Sequence, residues 1–197
     1  MILFLDFDGV LHPQYEDQPV PADVAFCHLP RFEAVMRDFP NVEIVISSTW
    51  REQFGLNALR AKFSPDIAAR ITDTTPLVAD ALPPHMVEVR EWEIATWLQR
   101  NHRQGEEWIA LDDCEWQFKY HRDRLVACTG YIGFDSRAES KLRAALSTVP
   151  LAPVATRTYA PVAFSGVACT PSRRINCHAI ARFRLRRFSG GFSLLSR

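Results

Sequence analysis

Residues 1–14 read MILFLDFDGVLHPQ, an apolar run that ends in Asp6, one aromatic, Asp8 and a glycine before apolar residues resume. Ile2 to Phe7 has the continuous apolar character of a strand buried on both faces, as in a parallel sheet. A strand alternates faces, so Asp6 and Asp8 leave the same side of its carboxyl end while Phe7 packs on the other. Gly9 permits a positive φ, letting the chain turn sharply and approach a ligand with its backbone. Two carboxylates so placed repel each other unless a cation lies near them. A hard divalent ion answers that need, and Mg²⁺ suits best because it binds through one or two carboxylates together with water and substrate phosphate.

The same punctuation recurs along the chain. Val42 to Ile46 reads as a second strand, followed by Ser47, Ser48, Thr49, Trp50 and Arg51; Glu107 to Leu111 reads as a third, followed by Asp112 and Asp113. Adjacent acids at the tip of a buried strand are hard to explain by packing. Segments of helical period separate the strands: 29–39, 50–63, 89–101, and a stretch to about Thr148 capped by Asp135 or Ser136. The proline-rich stretch 64–88 reads as loop with one short strand at 69–72, and 125–128 as a further strand. Alternating strands and helices predict an α/β fold with a mostly parallel central sheet. In such sheets ligands bind outside the carboxyl ends of the strands, so Asp-x-Asp-Gly, Ser-Ser-Thr and Asp-Asp converge by topology. Arg90, opening the helix after the proline-rich loop, adds a cation.

Charge divides the chain unevenly. The net formal charge is zero, yet 15 basic and 23 acidic residues fall within 1–150, while 151–197 holds eight arginines and no acid. A domain over 1–148 and an irregular basic Pro/Ser/Arg-rich tail over 149–197 are therefore expected. The tail reads either as an arginine-rich arm for RNA or another anion, or as a poorly ordered extension. Five scattered cysteines without a C-x-x-C pair argue against structural zinc and for reduced thiols. The opening apolar run is too short for a signal core or a membrane span, which predicts a cytoplasmic protein with no membrane partner; no obligate protein partner is evident in the sequence.

Taken in order, FLDFDGVLHP, VISSTWR, the Arg90 region and WIALDD match the four motifs of the haloacid dehalogenase (HAD) superfamily of aspartate-nucleophile phosphohydrolases. The set that includes REWEIATWL resembles, more narrowly, the small HAD domains of "Swiss Army Knife" RNA repair proteins. The resemblance covers about residues 1–148 and implies a Rossmann-like three-layer sandwich of capless HAD type. It implies Asp6 as nucleophile, Asp8 as acid/base, Ser47 as hydrogen-bond donor to a phosphoryl oxygen with Ser48 its alternative, and Arg90 as the cation, where Lys is commoner. Asp6, Asp8, Asp112 and Asp113 would hold Mg²⁺. Lys119 and Arg51 are rivals of Arg90, each read as a surface or phosphate-rim residue, and His12 is read as the start of the Pro13 loop.

Only 38 residues separate Asp8 from Ser47, and 42 separate Ser47 from Arg90, too few for a full cap domain. An open site suits a phosphate on a large or protruding substrate, such as the end of an RNA or DNA strand. Small-metabolite or nucleotide phosphatases are the alternative, and a non-catalytic phosphate- or metal-binding module is another. Of the five tryptophans, Trp116 is the candidate substrate contact, because it follows Asp113 by three residues.

Overall fold

The computed structural model describes residues 1–14, 20–78, 83 and 86–147. The expected basic tail 149–197 lies outside the described residues. Five strands, β1 (Ile2–Leu5), β2 (Glu43–Ile46), β3 (Ile71–Thr74), β4 (Trp108–Asp112) and β5 (Leu125–Ala127), form one sheet in the order β3-β2-β1-β4-β5. Every pairing is parallel. β1 is central, and the chain leaves it first toward β2 and later returns to β4 on its other side. That reversal opens a crevice at the carboxyl end of β1, where Asp6 and Asp8 stand.

Alternation along the strands builds two cores. Leu3, Leu5, Ile44, Ile46 and Leu111 pack with helix α1 (Leu29–Asp38), short helices α2 (Leu56–Arg60) and α3 (Pro65–Ala68), and α5 (Ser136–Ser147). Ile2, Phe4, Val45, Trp108 and Ala110 pack on the opposite face with α4 (Val89–Arg100). The Phe4 ring meets Trp97 and Trp108 edge-on at 5.5 and 5.8 Å, so these two tryptophans are core residues. The result is the expected three-layer α/β sandwich.

Three local expectations are corrected. The helix expected over 50–63 is broken into a 3₁₀ turn at Thr49–Glu52 and α2, because Gly55 between them is extended, with φ −68° and ψ 159°. The loop expected from residue 64 begins with α3, where Ser64 precedes Pro65 at the first helical position, a favoured helix start. The strand expected at 69–72 lies at Ile71–Thr74 and joins the sheet, so the second interval contributes to the main fold. Among the described residues no helix is long and apolar enough to cross a membrane.

Candidate active site

The start of α4 carries three charged residues, Arg90, Glu91 and Glu93, each with a separate task at the strand ends. Arg90 is buried: its Nη2 donates to Asp6 Oδ2 at 3.2 Å, and its Nε lies 3.1 Å from Asp112 Oδ2. Glu91 accepts from the backbone N–H groups of Lys119 and Tyr120 and pairs with His121 Nδ1 at 2.7 Å, fastening the segment after β4 to this helix. Glu93 lies 3.7 Å from Arg90 Nη1 and 2.5 Å from Arg51 Nη2. Burial works against the Arg90 charge, but Asp6, Asp112 and Glu93 outweigh it and hold the guanidinium above its ordinary value. Of the three basic candidates, Arg90 is therefore the one that joins β1 to β4.

Asp6 and Asp112 are each only 1–2% exposed. Asp6 Oδ1 accepts from the Phe7 N–H at 2.7 Å, and Asp112 Oδ1 from the Cys114 N–H at 2.8 Å, so each carboxylate is oriented by backbone on one side and Arg90 on the other. Burial, followed by the Asp6 charge, pushes the Asp112 carboxyl up to about 7 despite Arg90. Asp113 occupies a slot that glycine keeps open: a Cβ on Gly9, whose φ is +69°, would overlap its carboxylate, and one on Gly130 would lie 2.6 Å from Oδ2. The carboxyl ends of β1 and β4 thus meet in space.

Asp112, Asp113 and Cys114 present ligand atoms close enough to share an ion. Burial pushes the Cys114 thiol up, and its Sγ donates to Asp113 Oδ1 at 3.2 Å, so its proton is engaged with a neighbouring carboxylate. The two carboxylates are hard oxygen donors, which fit Mg²⁺ better than a thiophilic metal.

The two serines after β2 separate clearly. Ser48 Oγ accepts from the Trp50 N–H at 3.4 Å, capping the 3₁₀ turn. Ser47 Oγ is buried and has no hydrogen-bond partner among the described residues. A buried hydroxyl without a partner is costly unless a ligand supplies one, which favours Ser47 as the phosphate contact. Arg51 departs from its expected place at the phosphate rim. Its side chain is 4% exposed, with Nε on Thr75 O, Nη1 on Ser48 O and Nη2 on Glu93, so it braces the inner wall. The cause is Glu93, a buried acid one turn along from Arg90 that needs a second cation.

Asp8 stands on a different flank. The Trp50 indole N–H donates to both of its carboxylate oxygens at 3.2 Å. His12 Nε2 lies 3.1 Å from Asp8 Oδ1, and the His12 side chain is buried between Phe26 and Trp50. His12 therefore does more than begin a loop: it helps fix Asp8. The signal was present in the sequence, because a tight turn at Gly9, closed by the Leu11 N–H to Phe7 O bond of 2.8 Å, stacks His12 over Asp8 four residues earlier. Trp116 is 51% exposed on the short turn Glu115–Gln117, and Lys119 lies at the surface 3.6 Å from Glu88.

A family model described as the HAD domain in Swiss Army Knife RNA repair proteins matches residues 2–138. The chain belongs to this family. No curated protein and no solved structure matches it. The matched span of the HAD domain includes all five strands and every carboxylate discussed above.

Proposed function

We propose that this HAD domain is a Mg²⁺-dependent phosphomonoesterase that works through a phosphoaspartate on Asp6. The observation that carries the reading is the Arg90 guanidinium held between Asp6 and Asp112, together with a buried Ser47 hydroxyl that has no hydrogen-bond partner among the described residues. Arg90 donates to Asp6 in a buried setting, and Ser47 has a hydrogen bond left to give. Asp6 attacks phosphorus as the bond from phosphorus to the leaving oxygen breaks. Asp8 delivers its proton to that oxygen. Water then attacks phosphorus, Asp8 takes a proton from it, the bond to Asp6 breaks, and inorganic phosphate leaves with Asp6 restored. Asp6, Asp112, Asp113 and the Asp8 backbone carbonyl would hold Mg²⁺, which would supply positive charge to the phosphoryl oxygens.

The family description favours an RNA end as the substrate, and the open strand ends suit a phosphate on a long chain. The test is turnover of p-nitrophenyl phosphate with Mg²⁺ by the full chain and by Asp6→Asn. The wild type should turn over, and the variant should lose at least a thousandfold while keeping its melting temperature within a few degrees. Equal rates would rule out Asp6 as nucleophile.

A further inference from the structure

The leaving group of the reaction must lie where its oxygen can reach Asp8, and the surroundings of Asp8 are aromatic. Trp50 spends its only polar atom on the Asp8 carboxylate, which fixes the indole plane beside the acid/base. Phe54, four residues on, lies against the indole at 5.5 Å between ring centroids with planes 32° apart, and is 39% exposed. Phe26 meets the same indole edge-on at 5.3 Å. Its φ of 59° is uncommon for a bulky side chain, a backbone arrangement that persists only where the surroundings demand it. Lys62 Nζ, on an exposed side chain, sits 5.8 Å from the Trp50 ring and 5.9 Å from that of Phe26. One indole thus has the acid/base at its N–H, an exposed phenyl ring against it and the Lys62 ammonium 5.8 Å from its ring centroid.

We propose that Trp50, Phe54 and Lys62 form the leaving-group subsite and that its occupant is the planar base of a nucleoside. The proposal rests on the reading of Asp8 as the acid/base and adds what that site recognises. Stacked aromatic side chains accept any base on its π face, and an adjacent lysine suits a neighbouring backbone phosphate. Large apolar side chains exposed among the described residues, Phe54, Leu77, Trp116 and Tyr131 among them, all lie on segments that leave the carboxyl ends of β2 to β5. Phe54 is distinguished from the others by its contact with the residue that holds Asp8.

The test compares a nucleoside monophosphate, a terminally phosphorylated oligonucleotide and ribose 5-phosphate, which offers the same alcohol without a base. Wild-type kcat/KM should favour the base-bearing substrates over ribose 5-phosphate by about tenfold or more. Phe54→Ala should cut that ratio by about tenfold, with a melting temperature lowered by no more than a few degrees because the ring is partly exposed. Lys62→Ala should lower the oligonucleotide rate and flatten its salt dependence. A higher kcat/KM on the oligonucleotide assigns the base to a strand end, and the reverse assigns it to a free nucleotide; both support the subsite. Turnover without a base preference, or a preference that Trp116→Ala abolishes and Phe54→Ala leaves intact, overturns it. No turnover of any phosphomonoester would overturn the phosphatase reading itself.

Discussion

Asp6 and Asp8 stand two residues apart at the end of one strand and live in opposite surroundings. Asp6 is buried, with a backbone N–H and a guanidinium on its two oxygens and a second acid across the guanidinium. The Asp8 side chain is 20% exposed and is held by an indole and an imidazole. A buried carboxylate locked among charges suits a nucleophile, while one held by an indole and an imidazole at the edge of water suits an acid/base. On the function proposed above, two acids of one type acquire two roles through their neighbours.

The Asp6 side should break hardest. Arg90→Gln leaves Asp6, Asp112 and Glu93 buried with one cation fewer, and removing one partner from a buried ionic set costs about 3–5 kcal/mol of stability. The rate should fall by about a thousandfold, since the group acts directly on charge in the reaction. Arg90→Lys should recover part of the stability and less of the rate, because an ammonium is a point donor where the guanidinium spans two carboxylates. Chemical denaturation and kcat measured on both variants check this. A folded, fully active Arg90→Gln would mean that the buried ionic set is architecture alone.

The Asp8 side should respond more gently and more selectively. His12→Phe keeps a buried ring of similar shape but removes the donor to Asp8, and should slow hydrolysis of an alkyl phosphate by about tenfold. p-Nitrophenyl phosphate should slow less, because its phenolate departs with little help from a proton. His12→Gln, which places an N–H near the position of Nε2, should restore most of the difference. An equal loss on both substrates would show that His12 only packs. The measurement is kcat/KM on the two substrates side by side.

The comparison also explains what could be read from the chain alone. Asp-x-Asp-Gly and Asp-Asp announced themselves because acids at the tips of apolar strands have no packing purpose, and the parallel sheet then fixed where they meet. Arg90 was legible through its position at the start of a helix in the right order. The second flank was not, because it is built by loops distant in sequence: Phe26 from residues 20–28, Trp50 and Phe54 from the turn after β2, and Lys62 from beyond α2. Arg51 was misplaced for a related reason. Its partner Glu93 lies 42 positions away, and no local pattern says that a helix will carry a buried acid to meet it. The break at Gly55 in the helix expected over 50–63 was visible as a glycine, but its consequence was the separation of Phe54 from the helix that follows.

The smallest effect concerns the acids without their ion. Asp112 titrates near 7 in the folded protein against 3.8 for an unperturbed carboxyl, chiefly because it is buried and next because Asp6 is close. The folded state therefore binds the proton more tightly, and the stability this brings is full below about pH 4 and lost as pH rises through about 7. A divalent cation favours the ionised pair, so its stabilising effect should grow over the same interval. At Mg²⁺ about a hundredfold above its dissociation constant at pH 8, the melting temperature should rise by roughly 5 °C, and by less than half as much at pH 5. Asp112→Asn should remove most of that pH dependence by deleting the titrating group, whereas Asp8→Asn should preserve it, since the Asp8 carboxylate is held on the other flank by Trp50 and His12. Equal Mg²⁺ shifts at both pH values in the unaltered protein would show that the ion does not seat against Asp112, and the contrast between the two flanks would then have to be redrawn around Asp113 alone.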